Sequence, residues 1–224
     1  INLYLKNDKK LEYATAIEMK GTIYEYQKDY DTALNYYLES IKLFIKNDYT
    51  MRVFNNFHRI GDVYNNIGNY NKALDYYKKS NSIVTKLEEK NNIYDLNFKI
   101  GEVYLKQEEF KRAFNFFQKS LKIQKELPEK EPVLETMTLL YLTYKNLGKQ
   151  YNEKEIHNLI KKTENIGYEV NYHLYKLLEV KSYLETAYNQ IQEKAAAMEN
   201  ELKEKFLKYP IPKQIIEEYN KVFS

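Results

Sequence analysis

The sequence predicts an all-α solenoid of tandem antiparallel helical hairpins, closed by a C-terminal capping helix. Three observations carry this expectation. The 224 residues include only six glycines and four prolines, which favours long uninterrupted helices over frequent turns. The opening octet INLYLKND nearly returns at 41–48 as IKLFIKND. Gly21, Gly61 and Gly101 fall in register when the chain is slid against itself by forty residues, and each is followed by aromatics at the same spacing.

The three segments read GTIYEYQKDYDTALNYYLES, GDVYNNIGNYNKALDYYKKS and GEVYLKQEEFKRAFNFFQKS. Beyond the glycines they share Tyr24, Tyr64 and Tyr104; Tyr30, Tyr70 and Phe110; Ala33, Ala73 and Ala113; Tyr37, Tyr77 and Phe117; and Ser40, Ser80 and Ser120. Self-similarity at such a period marks a repeat architecture, in which each unit buries its apolar face only against its neighbours. Within a unit, Gly61 and Tyr64 lie one turn apart on a first helix, where the hydrogen side chain lets a second helix approach. Gly68 suits a left-handed helix stop and Asn69 suits the next N-cap. Ala73, Tyr77 and Ser80 then follow at helical intervals of four and three, a stripe that packs back on the first helix.

This order of Gly, aromatic, aromatic, Ala, aromatic and small residue resembles the tetratricopeptide repeat (TPR) over 11–126. The resemblance implies a TPR-like right-handed superhelix. The period departs from the common form of 34 residues, because about six more lengthen the second helix and its exit, as in SIVTKLEEKNN. Such longer units look like those of bacterial regulatory TPR arrays and of certain eukaryotic adaptors, whose groove holds an extended peptide or a neighbouring domain.

The predicted organisation is a tail of a preceding repeat's second helix at 1–10, then units at 11–50, 51–90 and 91–130. A degenerate fourth unit spans 131–166, where Tyr141 stands at the glycine position while Tyr144 and Gly148 keep their places. A degenerate fifth, 167–208, has a long second helix begun by a Ser182–Glu185 capping box. A C-terminal helix, 209–224, starts at Pro212 and carries Ile215, Ile216, Tyr219, Val222 and Phe223 on one side, read as a cap or as a docking helix. With no initiator Met, no signal-peptide pattern and a half unit at its start, the chain is expected to be part of something longer. Its tail, with YPIP and IIEEYNKVF, is similar to the ends of TPR regions attached to bacterial signalling ATPases, cyclases and kinases.

Composition narrows the function. Lys+Arg 35 against Asp+Glu 32 gives a formal charge of +3, so the overall balance implies neither a nucleic-acid nor a membrane partner. No run of about 18 apolar residues is present, and no transmembrane helix is expected. Without cysteine there is no disulfide, thiolate zinc site or cysteine nucleophile. The 24 tyrosines accompany abundant Lys, Asn and Ile, as in AT-rich genomes, and are read as packing residues.

No constellation for catalysis is found: no phosphate loop, nucleophile elbow or zinc-binding helix motif. His58, His157 and His173 sit in different hairpins, and Glu153 with His157 is a spacing common by chance in a Glu-rich helix. Glu88–Glu89 and Glu217–Glu218 are solvated pairs. Leu184, Tyr188, Ile191, Ala195, Met198 and Leu202 make a short heptad-like seam, read as packing on its own hairpin or as a dimerising coiled coil. The chain is therefore expected not to be an enzyme and to need no metal or other cofactor.

The resemblance places first helices along the concave surface. Their residues not used for packing are Asn55, Arg59, Asp62 and Asn66 in the second unit, Lys99, Glu102 and Lys106 in the third, and Thr138, Leu142, Lys145 and Asn146 in the fourth. Asn donates to and accepts from a peptide backbone at once, while Lys and Arg suit anionic groups. The mixture suits an extended polar peptide. Thr22, Asp62 and Glu102 occupy a column where chaperone-tail binders of the family carry Lys or Asn, so a C-terminal carboxylate is disfavoured as ligand. The expected function is a non-catalytic protein-binding module of a larger cytoplasmic bacterial regulatory protein. Its partner is a peptide, a protein or a neighbouring domain of the same polypeptide, and a monomer is favoured. The alternative is a regulator that changes superhelical pitch when a small signalling peptide binds.

Overall fold

The computed structural model describes residues 2–27, 29–127 and 133–223, and within these the side chains of all but 2–8 and 202. Among the described residues there are twelve α-helices and no strand. They are α1 (Asn2–Tyr26), α2 (Tyr30–Lys46), α3 (Thr50–Asn66), α4 (Tyr70–Leu87), α5 (Lys90–Lys106), α6 (Phe110–Glu126), α7 (Val133–Asn146), α8 (Glu153–Lys162), α9 (Tyr168–Leu178), α10 (Lys181–Ala196), α11 (Asn200–Leu207) and α12 (Pro210–Phe223). Two compact units divide the chain, Ile1–Val103 and Tyr104–Ser224.

In the first unit α1 packs on α2, α2 on α3 and α3 on α4. The repeated columns explain the packing. An added Cβ at Gly21 would stand 2.8 Å from the Tyr37 ring, and one at Gly61 would stand 2.5 Å from the Tyr77 ring. A hydrogen at these positions is what lets the fully buried tyrosines lie flat on the first helix. Beside each glycine the paired helices are joined by a ring stack: Tyr24 on Tyr36 with centroids 5.5 Å apart, and Tyr64 on Tyr76 at 5.6 Å. In the second unit Tyr104 stacks on Phe116 at 5.5 Å in the same register. Ala33, Ala73 and Ala113 are fully buried, as are Ser40, Ser80 and Ser120.

Helix ends follow local chemistry. Gly68 ends α3 at φ 78°. Asn69 Oδ1 then accepts from the Lys72 amide at 3.3 Å, as Asp29 Oδ1 accepts from Thr32 at 3.2 Å. At the corresponding step after α5, Glu108 takes a left-handed φ of 59° with no glycine to ease it.

Four details differ from the sequence reading. Helix α1 runs unbroken through the expected boundary at residue 10. IKLFIKND is followed by Tyr49 and Thr50, with Asp48 at φ 60°, whereas INLYLKND is followed by two lysines and a leucine, good helix formers. Ser182 and Glu185 form no capping box, because α10 already begins at Lys181 after Val180, which makes no side-chain cap. Glu179, at φ 59°, closes α9 immediately before, so the chain re-enters helix ahead of Ser182. The long second helix is broken, α10 ending at Ala196 and α11 beginning at Asn200. Finally, the last helix starts at Pro210 rather than Pro212.

In the second unit α6 packs on α7, α7 on α8 and α9, α9 on α10, and α10 on α11 and α12. Ile215 of α12 is fully buried beside Leu184, Ala187, Ile191 and Ala195 of α10. Tyr219 stacks on Tyr188 with centroids 3.8 Å apart. The heptad-like seam is thus covered from within from Leu184 to Met198, the Leu202 side chain lying outside the described residues, and α12 caps the hairpin. At the glycine position of α7, Tyr141 is buried and its hydroxyl donates to Glu155 Oε2 of α8 at 2.7 Å.

Candidate functional site

A groove of about 740 Å³ runs between α1 and α3 of the first unit. Thr15, Glu18, Met19, Thr22 and Ile23 form one wall; Arg52, Asn55, His58, Arg59 and Asp62 form the other. Helical spacing makes the walls: 15, 19 and 22 recur at steps of four and three, and 52, 55 and 59 at three and four. The floor is a buried polar network. Glu18, 6% exposed, accepts from Asn56 Nδ2 at 3.0 Å and from the Arg52 guanidinium at 3.1 Å. Ser40 Oγ of α2 donates to Asn56 Oδ1 at 2.8 Å. The network satisfies a carboxylate that burial would otherwise penalise. It also fixes α1 and α3 on α2.

At the far end of the groove, Asp62 Oδ1 accepts from the Tyr77 hydroxyl at 2.6 Å, and Asp62 Oδ2 lies 3.9 Å from His58 Nδ1. The other face of His58 reaches α5, with Nε2 3.4 Å from Asp95 Oδ2. Burial pushes the Asp95 carboxyl above its ordinary range; His58 and Lys99 oppose that shift, and Asp62 and Glu102 add to it. Arg59 lies 3.8 Å from Glu25 Oε2, which also accepts from the Tyr37 hydroxyl at 2.5 Å. Burial, then the Glu25 hydrogen bond, holds the Tyr37 hydroxyl well above the ordinary phenol range.

The eleven residues singled out by sequence divide between the units, Leu142 being half-buried on α7 of the second. Asn55, Arg59 and Asp62 line the groove. Asn66 is exposed at the end of α3, outside it. Lys99 and Glu102 pair with each other at 3.4 Å on α5. In the second unit Lys106 is exposed, and Asn146 is exposed with its amide donating to the Leu142 carbonyl at 2.8 Å. Two residues are corrected. Thr138 is fully buried, its hydroxyl donating to the Leu134 carbonyl at 2.7 Å, because α7 is covered by α6, α8 and α9. Lys145 closes the end of α9, donating to the carbonyls of Lys176 and Leu177 at 3.1 and 3.0 Å and to Glu179 Oε1 at 2.6 Å. A cation there answers the helix dipole, and its hydrogen bond holds the Glu179 carboxyl below its usual range.

Of the α1 wall the sequence reading named Thr22 alone, although the same columns contain more of it. Forty residues before Asn55, Arg59 and Asp62 stand Thr15, Met19 and Thr22. Among the described residues no group of three or more His, Cys, Asp and Glu side chains is placed to hold a metal ion. No described helix is long and apolar enough to cross a membrane.

Paired helices repeated in register, with a polar groove between successive first helices, define a helical-hairpin repeat protein. Residues 49–126 match the sequence profile of the tetratricopeptide repeat, and residues 14–44 match a second profile of the same repeat. The chain carries tetratricopeptide repeats over these two stretches. No curated protein sequence matches it. Among solved structures it is similar to the apo form of RapI, with 16% identity and a TM-score of 0.72 over 94% of this chain and 85% of that one. It is also similar to a putative kinesin light chain from Podosopora anserina with nearly identical TPR-like repeats, at 15% identity and a TM-score of 0.52 over 91% and 95% of the two chains. BtubC from P. vanneervenii gives 16% identity and a TM-score of 0.58 over 66% of this chain, which spans 61% of that protein. At these identities the likeness is one of fold.

Proposed function

We propose that this chain is a non-catalytic protein-binding module whose α1–α3 groove takes an extended peptide segment, free or presented by a neighbouring domain. TPR folds serve generally as protein-binding scaffolds. The observation that carries the reading is that the groove walls keep side chains which the packing does not consume. Asn55 lines the groove with an amide able to bond a peptide backbone in both directions. The Arg52 and Arg59 side chains are 46% and 43% exposed, and Met19 and Ile23 project beside them. The floor beneath is a closed hydrogen-bond network, so a ligand meets a rigid surface and loses little to reorganisation. A place in a cytoplasmic bacterial regulatory protein belongs to the same reading, supported by the repeat's length.

The test is selection of a displayed random decapeptide library on the folded chain, followed by titration of synthetic copies of the enriched peptides. Affinity is expected to fall about tenfold with Asn55→Ala, the loss of one or two well-made hydrogen bonds. Enriched peptides indifferent to every groove residue, or no enrichment, would overturn the reading.

A further inference from the structure

The two walls of the groove are chemically unlike. On α1, Met19 stands where α3 has Arg59, and Tyr26 where α3 has Asn66. Met19, Ile23 and Tyr26 are 60%, 54% and 67% exposed. Single exposed apolar side chains are ordinary, but these three recur at steps of four and three and so form one stripe. Met19 and Ile23 lie within the groove itself.

On the facing wall, Arg52 and Arg59 flank Asn55. Arg52 has one guanidinium nitrogen on Glu18, a buried carboxylate already shared with Asn56. Arg59 has Glu25 at 3.8 Å, longer than a hydrogen bond, and Glu25 is committed to Tyr37. Each guanidinium carries five N–H donors, so these contacts leave donors directed to solvent.

We propose that the occupant of the groove is a peptide segment in which an Asp or Glu lies one or two residues from a bulky aliphatic or aromatic side chain. This rests on the peptide-binding reading above. The apolar side chain lies on Met19 and Ile23; the carboxylate crosses to Arg52 and Arg59; Asn55 holds the main chain between them. Asp62 closes the end beyond Arg59 and turns a second acid away.

The same decapeptide selection supplies the test, run on the unaltered chain and on Arg59→Glu, Arg52→Glu and Met19→Ser/Ile23→Ser. Arg52→Glu leaves Glu18 buried against a like charge and is retained only if its far-ultraviolet circular dichroism and melting match the parent; Arg59→Glu, with its looser tie, stands alone if it fails. Enriched peptides are expected to pair Asp or Glu with Leu, Ile, Phe, Met or Tyr within two residues. A synthetic copy loses about tenfold or more in affinity with Arg59→Glu, the scale of one charge-assisted bond, and a similar factor with the serine variant. Selection on Arg59→Glu itself replaces the acid by Lys or Arg. Peptides that depend on Asn55 but lack an acid, or bind Arg59→Glu unchanged, overturn this inference and leave the peptide-binding reading intact. Failure of any peptide to depend on Asn55 or another groove residue overturns both.

Discussion

Tyr77 lies flat against Gly61 and donates its hydroxyl to Asp62 Oδ1 at 2.6 Å. One side chain thereby joins the packing column of the repeat to its groove column: the ring fixes the distance between α3 and α4, and the hydroxyl fixes a carboxylate on the groove wall. Tyr37 repeats the arrangement one unit earlier, over Gly21 and onto Glu25, with Thr22 at 3.3 Å. In the next unit Phe117 keeps the ring and lacks the hydroxyl.

Gly61→Ala is expected to destabilise despite alanine's better helix propensity. The new methyl would meet a ring buried on all sides, and overpacking of that kind costs about 1–3 kcal/mol against a propensity gain of about 1 kcal/mol. A lower melting temperature, restored in part by Gly61→Ala/Tyr77→Leu, checks the mechanism.

Asn56→Ala removes the donor and the acceptor that join Glu18 to Ser40. A buried carboxylate left with one partner costs about 1–3 kcal/mol. Denaturant titration should show that loss, and Glu18→Gln/Asn56→Ala should lose less than the two single changes summed.

Glu108→Gly is expected to stabilise by about 0.5–1 kcal/mol, since it relieves a left-handed φ that glycine adopts freely. Gly68→Ala, at φ 78° in the preceding unit, should destabilise by a similar amount. Thermal melts of the pair, opposite in sign, check the argument.

Alkaline titration should separate the tyrosines. Burial raises Tyr30 and Tyr172 to about 12, with nearby carboxylates, Glu25 for Tyr30 and Glu218 first for Tyr172, adding to the shift. A group raised in the folded state gives stability that is complete below its unfolded value of about 10 and is lost as pH rises through the folded value. Stability should therefore fall between about pH 10 and 12. Absorbance at the phenolate band is expected to rise in two phases, the second coinciding with loss of helix.

The fold was legible because each repeated residue has one physical task. Glycine admits a ring, the ring fills the gap, and Asn69 starts the next helix. The interruption after Ala196 was not legible, since three alanines favour helix locally and the break follows from α11 and α12 folding back over α10. For the groove, the columns found one wall and, shifted back by one period, contain much of the other. They failed at Thr138, where the degenerate unit turns the column inward, and at Lys145, which closes a helix end whose approach depends on tertiary packing.

The most direct measurement is amide chemical-shift mapping of the full chain titrated with an enriched peptide. The account predicts that the largest shifts fall on α1 and α3, around Thr15, Met19, Asn55 and Arg59, and that Asn55→Ala moves their midpoint to about tenfold higher peptide concentration. Shifts confined to α12 or to the outer helices α2 and α4 would contradict it.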